Sequence, residues 1–188
     1  MNDKPSLGNK MRHGCFCILL ATVISMASPQ AQAQPLPPQA PSASPGVREY
    51  LRQGSQFYLM HDYAKAIGPY RKALELEKRQ ATLDKNSWRM LVDNLGMACG
   101  ISGDLKNSIA TLEYGISKDK TYPMFYYNLA CAYAEMNDLH KTIAHLKTAY
   151  RYRQNMIPGE TFPDPAQDES FQRFMHDERF LEILRQMR

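Results

Sequence analysis

Between Tyr50 and Ala73 large apolar side chains and small ones alternate at helical spacing: Tyr50, Phe57 and Tyr70 on one count, Gly54, Ala66 and Ala73 on the other. Apolar residues three and four apart put a stripe down a helix, so the stretch reads as two amphipathic helices. The small residues stand where the two must approach to about 8–10 Å. The pattern returns twice. A second copy carries Val92, Leu95-Gly96, Cys99, Ser108, Leu112 and Gly115, and a third Tyr126, Leu129-Ala130, Tyr133, Thr142, Leu146 and Ala149. Helices are predicted at 46–60, 63–80, 87–101, 105–118, 123–136 and 139–155. Ser44-Pro45 signals the start of the first and Pro123 that of the fifth. His61-Asp62, Gly103-Asp104 and Asn137-Asp138 supply the turns and the caps of the helices that follow them.

Gly96 and Ala130 are 34 residues apart, and Gly54 and Gly96 are 42. A 34-residue period with a Leu-Gly pair, an aromatic three residues on and a small residue opening the second helix is a tetratricopeptide pattern. The sequence resembles the tetratricopeptide-repeat family over 47–155, with repeats at about 47–80, 89–122 and 123–156. No copy has the family's Trp at the first anchor, and Lys78, Lys120 and Gln154 replace its closing Pro. Eight extra residues before the second copy imply a longer second helix or a loop around 81–87. The expected fold is therefore all-α: an α-solenoid of about three helical hairpins. One hairpin cannot bury its apolar face alone, so neighbours stack and share a core.

Beyond 156, Pro158-Gly159 and Pro163-Asp164-Pro165 break the helical pattern. A C-terminal loop and capping helices over 157–188 follow in this reading, Asp168 and Asp177 capping two short helices. Phe171, Phe174, Phe180, Ile183 and Leu184 would cover the open end of the third hairpin, which a solenoid needs for solubility.

The start of the chain is of another kind. Lys4, Lys10 and Arg12 precede an apolar run from Cys15 to Ala27, and Ala31-Gln32-Ala33 offers a small-x-small cleavage site. Residues 1–33 read as a signal peptide cleaved after Ala33, which places the protein outside the cytoplasm, in a bacterial periplasm or secreted. The run falls short of the roughly 20 residues of a membrane span; an uncleaved anchor is the alternative. Residues 34–46 hold five prolines in thirteen and form an extended spacer. The net charge of +4 falls to +2 without the leader, since three of the 23 basic and one of the 19 acidic residues lie in it. Such balance argues against a nucleic-acid partner.

No constellation suggests an enzyme. There is no phosphate loop, nucleophile elbow or zinc-protease motif, and no cofactor or metal is expected. His140 and His145 fall on different sides of a helix, and Glu75 and Glu77 read as a solvated face. Cys99 and Cys131 survive leader removal. A Cys99–Cys131 disulfide, a redox role and two buried thiols all stay open.

The resemblance implies a concave groove lined by the first helix of each hairpin. It selects Arg48, Arg52 and Tyr58, then Asn94 and Met97, then Met124, Tyr127 and Asn128 as a peptide-binding surface. Asn94 and Asn128 precede the Leu-Gly and Leu-Ala pairs, where family members that hold extended peptides use an amide. The basic residues of the family's carboxylate clamp are missing, with Leu51, Ser55 and Met124 in their places. The expected function is a non-enzymatic scaffold for a protein or peptide partner. The alternatives are a thiol-redox protein and a homo-oligomer in which the groove takes a neighbour's tail.

Overall fold

The computed structural model of the chain describes residues 44–187. The leader and nearly all of the proline-rich segment lie outside the described residues. Six α-helices form three successive hairpins: α1 (Pro45–Leu59) with α2 (Tyr63–Arg79), α3 (Lys85–Ile101) with α4 (Leu105–Lys118), and α5 (Pro123–Glu135) with α6 (Leu139–Arg151). Two 3-10 turns, Arg153–Asn155 and Glu169–Phe174, lead to α7 (Glu178–Gln186). The sixth helix is therefore shorter than the pattern suggested, its last residues tightening into the first 3-10 turn.

All three hairpin turns are built alike. His61, Gly103 and Asn137 take positive φ angles of 59°, 86° and 59°. The aspartate that follows each donates its backbone N–H to a carbonyl five residues back: Phe57, Cys99 and Tyr133. Its carboxylate then accepts the N–H of Lys65, Asn107 or Lys141, capping the second helix. The left-handed residue satisfies the last carbonyls of one helix and the aspartate the first amides of the next.

Small residues set how close the helices come. A methyl group on Gly54 would lie 2.6 Å from Tyr70 Cε1, and one on Gly96 2.7 Å from Leu112 Cγ. Tyr70 and Leu112 are fully buried, so each fills the hollow its glycine leaves. Between hairpins, Gly115 admits the ring of Phe125, 2.9 Å from where a Cβ would sit.

The eight extra residues of the first period are distributed over three places. Three lengthen α2, which has 17 residues against 14 in α4; one lies in the connection 80–84; and four extend the start of α3. The hairpins still stack, α2 on α3 and α4 on α5.

One core cluster joins the first two hairpins and reaches Phe125, Leu129 and Tyr133 of α5. The other lies beneath the tail, where Phe171, Phe174, Phe180 and Leu184 pack on Tyr127, Ala130, Leu146 and Ala149. Asp168 accepts from the N–H of Ser170 and Asp177 from that of Arg179, capping the second 3-10 turn and α7. These residues close the apolar end of the third hairpin.

Candidate functional site

The first helices lie side by side, α1 against α3 and α3 against α5, and line one face. At the α1 end this face is open. Arg48 and Arg52 are exposed, Arg52 pairing with Glu49 at 2.7 Å. Met90 of α3 is 39 % exposed. Tyr58 is half-buried, its ring edge-on to Tyr63 and Tyr70 at 5.1 and 6.2 Å.

At the α5 end the chain's own tail occupies the surface. The ring of Tyr127 meets Phe162 and Phe171 edge-on at 5.6 and 5.8 Å, and its hydroxyl donates to Asp168 at 2.9 Å. Arg173 reaches back to the Glu135 carboxylate at 3.1 Å. The sequence placed Met97, Tyr127 and Asn128 on an open groove. They are 7, 0 and 3 % exposed. Met124 is half-buried and packs against both core clusters. For Tyr127 the reason is tertiary: Phe162 and Phe171 of the returning tail cover its ring.

Both candidate amides are engaged within the protein. Asn94 donates to the hydroxyl of Tyr70, which donates in turn to Ser55, so one hydrogen-bonded chain ties α3, α2 and α1. Asn128 donates to Asp93 at 2.8 Å and ties α5 to α3. Truncating either amide disturbs the stacking of hairpins, so the effect on folding precedes any effect on a ligand.

Around Asp93 the face carries a charge cluster that sequence reading did not find. Arg89, one turn earlier on α3, is buried and holds Asp119 at 2.7 Å. It also donates to the carbonyl of Asn155 and lies 4.8 Å over the Tyr122 ring. The Tyr122 hydroxyl donates to both oxygens of Glu160 at 3.0 Å. Burial works against the Asp119 carboxylate, yet Thr121 and Arg89 hold it down at about 2. Asp93 behaves oppositely: burial and the neighbouring Glu160 push its carboxyl up to about 7, the Asn128 bond opposing them. Burial also raises Glu160. Arg89 and Asp119 are 30 positions apart, Tyr122 and Glu160 38, and Arg89 and Asn155 66, so no local motif announces them.

A raised carboxyl pKa means that the folded chain holds a proton which the unfolded chain has released. Stability associated with Asp93 is then present at low pH and lost as pH rises from about 4 to about 7. Asp93→Asn keeps an acceptor for Asn128 and removes the charge. It is expected to raise unfolding free energy by ~1–2 kcal/mol above pH 7 and by almost nothing below pH 4. Urea melts across that range check this; a constant difference at every pH would refute the assignment.

Cys99 and Cys131 are buried and not joined by a disulfide, and they lie in separate clusters. Of the readings left open by the sequence, the structure has the one in which each thiol packs as a small side chain in its own cluster. Burial and Asp104 push the Cys99 thiol up, away from a redox-active thiolate. Cys131 lies 3.9 Å from Asp168. Glu77 is also corrected. It is 6 % exposed and accepts the N–H groups of Thr82 and Leu83, tying down the connection after α2. His145 stacks on Tyr133 at 5.3 Å. Among the described residues no cluster of three His, Cys, Asp or Glu side chains could hold a metal ion. None of the described helices is long and apolar enough to cross a membrane.

Three stacked hairpins with these turns and a closing segment have the tetratricopeptide-repeat fold. Among solved structures the chain is similar to the TPR domain of Sgt2 from Aspergillus fumigatus, with a TM-score of 0.53 and 17 % identity over 80 % of this chain and 88 % of that one. In sequence, no family model and no curated protein matches the chain.

Proposed function

We propose that the protein is an exported, non-enzymatic scaffold that holds an extended segment of a partner protein along the open part of its inner face. The face runs over α1 and the first half of α3. The observation that carries this reading is the asymmetry of that face: the tail covers α5, while Arg48, Arg52 and Met90 are left exposed on α1 and α3. Exposed arginine beside methionine and tyrosine suits a partner with apolar side chains and some negative charge. Residues 1–33 supply export in this reading, with cleavage after Ala33, and the prolines of 34–46 form an extended arm ahead of the array.

The test is capture from the exported fraction, with the wild-type chain and Arg52→Glu/Met90→Asp as paired baits. Both positions are solvent-exposed, so the double variant keeps its melting temperature and loses at least tenfold in partner recovery, about 1.4 kcal/mol. Equal recovery by both baits refutes the face. N-terminal sequencing of the exported protein should begin at Gln34; Met1 would refute cleavage.

A further inference from the structure

The segments lengthened by the long first period line an open groove of about 690 Å³. Its walls come from the end of α2, the connection 80–84, the start of α3 and the end of α4. Behind it the Trp88 ring packs edge-on against Phe125 of α5, 5.9 Å away. Trp88 and Tyr114 form an aromatic wall, their centroids 6.3 Å apart, and Leu83 adds an aliphatic one. Three lysines stand around it: Lys78, Lys85 and Lys118.

The charges are unbalanced. Of the two carboxylates in the lining, Glu77 is committed to the backbone N–H groups of Thr82 and Leu83. Asp119 is held by the buried Arg89 and, at 3.5 Å, by Lys85. Lys78 and Lys118 have no carboxylate partner among the described residues. They lie over the Tyr114 ring instead, 4.1 and 5.9 Å from its centroid. An exposed cation–π contact holds an ammonium only weakly, by about 0.5–1 kcal/mol, so both remain available to an anion. Apolar walls with a few convergent charges, in a volume of this size, are the make-up of a ligand pocket.

The geometry points to a second binding site here, for an acidic peptide segment with a large apolar side chain. The apolar side chain lies against Trp88 and Tyr114, and a flanking carboxylate bridges Lys78 and Lys118. Charge complementarity selects this occupant over a nucleic-acid strand. A single carboxylate matches the two uncompensated ammonium groups, whereas a run of phosphates calls for a longer basic stripe than the three lysines of this lining supply.

Trp88 is the only tryptophan in the chain, so its emission reports on this pocket directly. The full chain is titrated with the blocked peptide Ac-Asp-Glu-Leu-Phe-Glu-Asp-amide, with its Asn/Gln counterpart, and with an oligothymidylate. A saturable emission change is expected with the acidic peptide, below about 1 mM and weakening with salt. The neutral peptide and the Lys78→Ala/Lys118→Ala variant bind at least tenfold more weakly. Both lysines are exposed, so the variant should melt with wild type. Arg52→Glu/Met90→Asp leaves this titration unchanged, which separates its outcome from that of the inner face. Equal binding of the acidic and neutral peptides overturns the proposal. So does tighter binding of the oligothymidylate, or no emission change at all.

Discussion

Gly54→Ala lowers the unfolding free energy by about 3 kcal/mol, in the upper range for overpacking a rigid core. In a chain of this size that is a fall of roughly 6–12 °C in melting temperature. The new methyl meets three ring atoms of Tyr70, not the tip of a flexible side chain. The ring cannot retreat. It is fully buried, and its hydroxyl is bonded to Ser55 on one side and Asn94 on the other. Relief therefore requires α1 to move off α2, which also breaks the hydrogen-bonded chain to α3. A double-mutant cycle with Tyr70→Leu isolates the clash. Gly54→Ala should cost far less once the ring is gone, and additive effects would show that α1 and α2 are not held this closely.

Phe171→Ala has a comparable effect at the other end, with a different signature. Phe171 is fully buried between Tyr127, 5.8 Å away, and Phe180, 5.7 Å away. Its truncation removes about 3–5 kcal/mol from the packing of the tail. The cap is a small layer resting on α5 and α6, so it should open before the hairpins do. Cys131, next to Asp168 beneath the cap, then becomes reactive, while Cys99 in the other cluster stays protected. Alkylation followed by peptide mass mapping reads these two thiols separately, and apart from Cys15 and Cys17 where the full chain is used. Equal labelling of Cys99 and Cys131 would mean that the molecule opens as one unit.

The inner face shows how far local pattern carries. Asn94 and Asn128 were legible as residues of the first helices, one before each Leu-small pair. Their employment was not legible. A carboxamide bonds whatever reaches it first, and here Tyr70 and Asp93 arrive from 24 and 35 positions away. Tyr127 was likewise placed correctly on its helix and wrongly in solvent. The segment that buries it returns to the helix after a run of prolines whose path no periodicity describes. Glu77 failed for the converse reason: its helix position is ordinary, and only the path of the connection 80–84 encloses it.

Helical period, small-residue anchors and Asp after each turn determined the hairpins, because each depends on contacts within a few residues or between adjacent helices. The Phe- and Asp-bearing end segment was readable for the same reason. Only the tertiary structure decided which part of the inner face stays open. It also decided where the eight extra residues go, and that the segments they lengthen line a lysine-rimmed groove. Those outcomes depend on chain segments meeting from far apart, and the free energy of such meetings is spread over many weak contacts rather than written in any one stretch.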